Sequence, residues 1–305
     1  MSAQCFFILA DMGNMNGPAA RQLFEGTDSV NDAEGWVSVR ILRQDHPAEA
    51  SYWQSFLIRR EPGLNVTGVL QRIATEPKTT SGEIVAPIAY EANCLEEVCG
   101  SCTMLVNGRT RQACSALVER LVADQPGEIE LRPLSKFLVV RDLVVDRRRL
   151  FRALEKVEAW IPVDGYYDQG PGPRQSQQEQ QQAYPLSECM SCGCCLEACP
   201  QYNLAQIQKA EGESEAEFKA RQDIHFDRTF IGAHAMNQVV LINSHPTGRF
   251  NAGKRLDAVT TEGGIQQCGN AQNCTAVCPK HIPLTDSWGR IGRTATLHAI
   301  KKFFG

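Results

Sequence analysis

Eleven of the thirteen cysteines in this 305-residue chain fall into three groups, and their spacing constrains the fold more than any other feature. The first group is CLEEVCGSC with a distant partner: Cys94, Cys99, Cys102 and Cys114. This is the plant-type spacing for a 2Fe-2S cluster, in which three thiolates on one tight loop wrap an edge of the cluster and a fourth closes it. Gly100 lies inside that loop, where a residue without Cβ lets the backbone approach inorganic sulfide closely. A zinc site ordinarily shows paired CxxC units instead, and cysteines that merely fill a core need no fixed spacing.

The second group, Cys189, Cys192, Cys195 and Cys199, is followed by Pro200 and matches the bacterial run CxxCxxCxxxCP, whose fourth cysteine serves the other of two clusters. The third group, Cys268, Cys274 and Cys278, again ends in Cys-Pro, but Ala271 stands where a middle ligand is expected. Crossing the fourth cysteines assigns Cys189, Cys192, Cys195 and Cys278 to one cluster and leaves Cys199, Cys268 and Cys274 for the other. Four thiolates suit a 4Fe-4S cube. Three, with a methyl group at the remaining corner, favour a 3Fe-4S cluster. Zinc or redox-switch thiols are the competing reading for this double group. Cys194 adjoins Cys195 and is read as a non-ligand, because neighbouring residues rarely aim at one metal; Cys5 is read as free.

Thirteen cysteines would suggest disulfides in a small secreted chain, but MSAQCFFILADMGNMNG has neither the basic start nor the long apolar core of a secretory signal. A reducing compartment follows, with thiolates free to bind metal. No apolar run approaches the ~18 residues that span a bilayer, so membrane contact is expected to go through a partner. A net charge of -4 gives no electrostatic case for nucleic acid.

Periodicity divides the chain. Residues 1–34 are small and polar without a sustained period and read as a weakly structured extension. Residues 35–140 read as a mixed sheet with one helix: strands in WVSVRILR and SYWQSFLIRR, a helix starting near Asn65, a hairpin turning at Asn107-Gly108, and a strand in GEIELRPL. Helical spacing then appears in LVVDRRRLFRALEKVEAW, and residues 161–186, rich in Gly, Pro and Gln, read as an exposed connection. In the second domain, residues 141–305, helices are expected around 186–199, 204–222, 234–243 and 282–304. The fold class is therefore α+β.

Absences matter as well. The sequence has no Gly-rich phosphate cradle after a strand, no HExxH and no nucleophile elbow. The dispersed histidines (46, 225, 234, 245, 281 and 298) read as surface or capping residues, and residues 211–223 as the solvated face of a helix.

From Trp36 to about residue 304 the chain resembles the iron-sulfur subunit of succinate dehydrogenase and fumarate reductase. The likeness is carried by NCLEEVCGSCTMLVNG, RPLSKFLVVRDLVVDRRRLF, AWIPVDG, SECMSCGCCLEACP and CGNAQNCTAVCPKHIPL. CGNAQNC and NSHPTG look like the menaquinone-linked branch whose anchor is a di-haem cytochrome b. The resemblance implies a β-grasp plant-type ferredoxin domain followed by an α-helical bacterial-type ferredoxin domain. It further implies a partner flavoprotein subunit holding FAD and the dicarboxylate site, a membrane-anchor cytochrome b subunit holding haem, and a peripheral position on the cytoplasmic face of the membrane. The family's ligands fall on the same eleven cysteines, and Pro200 matches a proline that borders the quinone. Two features of ubiquinone-type members do not carry over: Asn203 and Leu204 replace tryptophans, and Gly269 replaces a histidine.

On this reading the clusters form a wire that passes two electrons singly between flavin and quinone, in either the succinate-oxidising or the fumarate-reducing direction. An electron carrier for a soluble thiol- or heterodisulfide-type reductase would keep the fold, but such partners usually carry two complete cubes. An iron-sulfur sensor or assembly module would need fewer clusters.

Overall fold

A computed structural model describes residues 35–161, 174–203, 207 and 209–304. The extension 1–34 with Cys5, part of the expected connection after residue 161, and Leu204 lie outside the described residues. Strands β1 (Trp36–Arg43), β2 (Tyr52–Arg59), β3 (Thr103–Val106), β4 (Arg109–Gln112) and β5 (Ile129–Arg132) form one sheet in the order β2-β1-β5-β3-β4. Strand β1 runs parallel to β5, with Val39 opposite Ile129 and Ile41 opposite Leu131, while β3 is antiparallel to both β4 and β5. The alternation in WVSVRILR drives Val37, Val39 and Ile41 inward, each contributing roughly 1.5–3 kcal/mol of apolar burial.

Helix α1 (Val66–Thr75) covers that sheet and starts where the sequence indicates: the Asn65 side chain caps it by accepting from the Gly68 amide. The β3–β4 hairpin turns with positive φ at both Asn107 (49°) and Gly108 (72°), the conformation a two-residue connection requires. A short α2 (Val118–Asp124) leads back to β5.

The chain passes between two apolar cores around residues 134–150. Leu143 packs in the first core, whereas Leu134, Phe137, Val145 and Leu150 pack in the second. A small hairpin, β6 (Leu138–Arg141) and β7 (Val144–Asp146), occupies this crossing. At its turn Asp142 is fully buried and takes both Arg43 Nε and NH2 at 3.0 Å, with the Ala89 and Gln44 amides completing its partners. Removing either member would strand a buried charge, at about 3–5 kcal/mol.

The second core is helical: α3 (Arg148–Lys156), α4 (Gln177–Ser187), α5 (Cys194–Glu197), α6 (Glu215–Arg228), α7 (Gly232–Ser244), α8 (Ala252–Val259), α9 (Asn273–Ala276) and α10 (Leu284–Phe304). Several helix expectations need correction. The helical pattern over residues 143–160 resolves into β7 followed by α3. The stretch 177–187 is a helix despite its glutamines, because Ser176 and Glu179 form a reciprocal capping box. The helix expected over 186–199 shrinks to Cys194–Glu197, since Ser191 (52°) and Gly193 (89°) take positive φ. The next helix begins only at Glu215, capped by Ser214 and Glu217. Helix α7 (Gly232–Ser244) spans the expected residues 234–243, and α10 follows the expected 282–304 within two residues. No helix among the described residues is long and apolar enough to cross a membrane.

Candidate metal centres

The loop after Asn93 folds around its own sulfurs. Leu95 (61°), Glu97 (59°) and Gly100 (73°) take positive φ, and the backbone curls so that its amides face inward. Val98 and Cys99 N–H donate to Cys94 Sγ at 3.3 Å each, and Glu97 N–H donates to Cys114 Sγ at 3.3 Å. Such donors stabilise negative charge on sulfur and set cluster potentials. The Ser101 hydroxyl, 3.0 Å from Cys99 Sγ, holds that thiol down at about 6, whereas burial pushes Cys114 up to about 12. Cys114 interacts with Cys102 and Cys94, so the four predicted ligands stand together.

The second and third groups fold alike. Ser191 and Asn270 both have φ of 52°, Gly193 and Gln272 are both left-handed (89° and 61°), and each pair leads into a four-residue helix, α5 or α9, ending before Cys-Pro. Ala271 occupies the place that Cys192 holds in the first copy. One cavity is lined by Cys189, Cys192, Cys195 and Cys278, the four residues assigned to one cluster by crossing the groups, and by the neighbouring Cys194. Cys195 meets the charges of the other three and of Cys274; burial pushes its thiol well up and raises that of Cys189. Crowded thiolates in an apolar enclosure need cationic iron to coexist, so this donor set fits a cluster. Cys199, Cys268 and Cys274 interact with one another in a more open setting. No three His, Cys, Asp or Glu side chains among the described residues gather as for a single metal ion.

Gly100, singled out in the sequence for close approach to sulfide, has a second role, and several residues that sequence reasoning passed over hold these loops together with it. Gly100 lies against the second loop: a Cβ there would come within 2.8 Å of Cys192 Cβ and 3.0 Å of the Met190 carbonyl oxygen. The glycine thus permits contact between two cysteine loops. Arg147 bridges the same two loops, donating to Gly100 O (3.1 Å), Ser101 O (2.8 Å) and Cys192 O (3.2 Å). Glu197 on α5 accepts from the amides of Ser135 and Lys136, both at 3.1 Å, and Lys136 Nζ reaches the Cys199 carbonyl. Cys194 is buried beside Cys192 and takes a contact from Gln112 at 3.5 Å.

His234 corrects an expectation. It is neither on the surface nor a cap: only 1% exposed, it lines the same cysteine-walled cavity and shares a 2.9 Å hydrogen bond with Ser191. Burial lowers its pKa to about 4, so the ring is neutral near pH 7. The available sequence signal was its setting: GAHAMNQVVLINS is apolar nearly all round, which marks a buried helix.

At the third group, Pro200 is exposed, and Gln201 lies against Gly269, whose Cβ would meet Gln201 Nε2 at 3.0 Å. Tyr202 is buried under the Arg149 guanidinium at 3.7 Å, and Arg149 also donates to the Asn203 carbonyl at 2.8 Å. The Asn203 backbone is thereby fixed while the residue stays exposed.

Residues 38–152 match the family model of a 2Fe-2S iron-sulfur cluster binding domain, and residues 185–282 that of a 4Fe-4S dicluster domain. The chain is 46% identical to the succinate dehydrogenase iron-sulfur subunit of Bacillus subtilis, over 87% of this chain and 94% of that protein. It is 26% identical to the fumarate reductase iron-sulfur subunit of Wolinella succinogenes, over 81% and 92% respectively. A chain of the Mycobacterium smegmatis Sdh1 complex in the apo form has the same fold, with a TM-score of 0.66, 21% identity, and coverage of 86% of this chain and 96% of that one.

Proposed function

The chain belongs to the family of iron-sulfur subunits of succinate dehydrogenase and fumarate reductase, the electron-transfer components of succinate:quinone oxidoreductases, and from that premise we propose that it relays single electrons between a partner flavin and a membrane quinone through three clusters. The ligands are Cys94, Cys99, Cys102 and Cys114 for 2Fe-2S; Cys189, Cys192, Cys195 and Cys278 for 4Fe-4S; and Cys199, Cys268 and Cys274 for 3Fe-4S. The division into residues 35–140 and 141–305 belongs to this reading; the two apolar cores support two domains, with the chain crossing between them over residues 134–150.

When bound, each cluster accepts and releases one electron, which lets two-electron reactions at either end proceed in single steps. The chain's residues supply the rest. Backbone amides of Glu97, Val98 and Cys99 donate to ligand sulfurs. Fully buried Leu196, together with Leu134 and Phe137, excludes water around the first bacterial run. Arg147 and Gly100 hold the 2Fe-2S loop against Cys192, which supports a short passage from the first centre to the second.

The observation that carries the third centre is the pair of matching loops that differ at Cys192 and Ala271. Electrons leave beside Pro200 and Gln201 toward a quinone, menaquinone on the evidence of CGNAQNC and NSHPTG, bound largely by a di-haem cytochrome b anchor on the cytoplasmic face of the membrane. Asn203 has only a short amide to offer in place of an indole donor. Electron paramagnetic resonance of the oxidised complex should show a 3Fe signal, and the subunit should copurify with a haem-bearing membrane protein. Full iron content without that signal would overturn the three-iron assignment.

A further inference from the structure

Ligation of Cys102, which rests on the reading above, changes what its neighbours can exchange. Gln112, wholly buried at the end of β4, lies between the 2Fe-2S loop and the first bacterial run. With Cys102 as a thiol, its S–H donates to Gln112 Oε1 at 3.6 Å, and Gln112 Nε2 donates to Cys194 Sγ at 3.5 Å. A ligating Cys102 is a thiolate with no proton to give, so the amide oxygen would face a second acceptor. Thr103 sharpens the count. Its Oγ1 lies 2.7 Å from the Gly100 carbonyl oxygen and 3.0 Å from Gln112 Oε1, yet one hydroxyl proton cannot serve both acceptors. Water cannot make up the deficit, because Cys102, Thr103 and Gln112 are all buried to within 3% of full enclosure.

Exchanging the amide nitrogen and oxygen of Gln112 removes both conflicts. The two ends have nearly the same shape, so the hydrogen-bond network decides between them. In the exchanged orientation the two amide hydrogens go to the Cys102 thiolate and to Thr103 Oγ1. Thr103 then gives its own proton to the Gly100 carbonyl, and the amide oxygen turns to Cys194, whose S–H it shares with the adjacent ligand Cys192. We propose that Gln112 is a positioning residue for the first electron-transfer centre: its side-chain N–H donates to the ligand Cys102, favours the reduced 2Fe-2S cluster, and ties that ligand through Cys194 to the 4Fe-4S loop. This also accounts for a buried cysteine that is not itself a ligand.

The test is a redox titration of the 2Fe-2S signal in the assembled membrane complex carrying Gln112→Met, which keeps the length and removes the donor. The expected result is about a tenfold lower ratio of reduced to oxidised cluster at fixed poise, a downward shift of about 59 mV for one electron. An upward shift would mean that the carbonyl end faces Cys102, and no shift would mean that the amide does not act on the cluster; either overturns the proposal. A 2Fe-2S signal missing from the wild-type complex would instead sink the ligand assignment, so the two failures are distinguishable. Should Gln112→Met not assemble, pulsed resonance on the reduced wild-type complex labelled with 15N only in glutamine side chains gives an independent reading. Nitrogen coupling to the cluster is expected, and its absence overturns the proposal.

Discussion

The run from Cys189 to Pro200 and the run from Cys268 to Pro279 share one backbone plan but not one environment. Left-handed residues fall at matching places, and each run forms one turn of helix before its Cys-Pro. The first run is packed into the protein: Cys194 and Leu196 are buried, Arg147 and Gly100 press it to the 2Fe-2S loop, and Glu197 ties it to residues 135–136. The second is exposed over residues 269–273 and is joined to the first by Asn273, which donates to the Ala198 carbonyl at 3.0 Å. On the proposed ligand assignment, backbone geometry alone therefore does not select cluster type. One side chain at the second ligand position does, and the enclosure decides how that cluster meets solvent and partners.

The largest test of this contrast makes the first run resemble the second. Cys192→Ala removes a thiolate from the buried cavity, where no solvent-facing corner exists to replace it. The 4Fe-4S signal should be lost, with electron flow between flavin and quinone abolished while the 2Fe-2S signal remains. Retention of a normal cube would show that Cys192 is not a ligand.

The reverse change, Ala271→Cys, should draw the third centre toward a four-thiolate cube of lower potential, because another thiolate adds negative charge beside the iron. A drop of about 100 mV corresponds to roughly 2.3 kcal/mol, or about 50-fold against the arriving electron. Redox titration together with loss of the 3Fe signal checks this. An unchanged 3Fe signal would mean that position 271 does not face the cluster.

The grouping of the cysteines was legible because iron-sulfur chemistry imposes spacing, spacing survives in one dimension, and the fold gathers the cysteines of each group. The β1–β5 sheet was legible for the same kind of reason, since alternation in WVSVRILR and the turn at Asn107-Gly108 are local signals. The helix expected over residues 186–199 was not, because apolar spacing around Met190, Leu196 and Ala198 mimics a helix while Ser191 and Gly193 break it through φ. Gln112, Arg147, Glu197 and His234 were hidden for another reason. Their roles lie in contacts across 43 to 82 positions of sequence, and no motif announces them.

A third test addresses the clamp that only the first run has. Arg147→Met keeps much of the side chain's bulk and removes three donations to carbonyl oxygens on the two loops. Leaving those partly buried carbonyls without partners should destabilise the junction by about 2 kcal/mol. Hydrogen exchange should rise in the 2Fe-2S loop and around Cys192, with residues 268–278 unaffected. Equal protection in the wild type and in Arg147→Met would mean that Arg147 does not hold the two loops together.

The smallest effect sets the two left-handed caps against each other. Gly193 has φ of 89°, and a Cβ there would stand 3.4 Å from Phe137 Cζ, in a wall of the buried core. Gln272, at 61°, already tolerates a side chain and faces outward. Gly193→Ala should therefore destabilise its run by about 1–2 kcal/mol, the cost of holding an L-residue left-handed plus a small packing adjustment. In Gln272→Gly the relief of that same strain is largely offset by about 0.5–1 kcal/mol of added chain entropy, leaving at most a small net stabilisation. The comparison can be read as chelator-driven loss of each cluster: for Gly193→Ala, removal of iron from the 4Fe-4S centre should quicken about fivefold or more, while Gln272→Gly leaves the third centre's rate nearly unchanged. Equal sensitivity at both caps would mean that the enclosure around the first run does not distinguish it from the second.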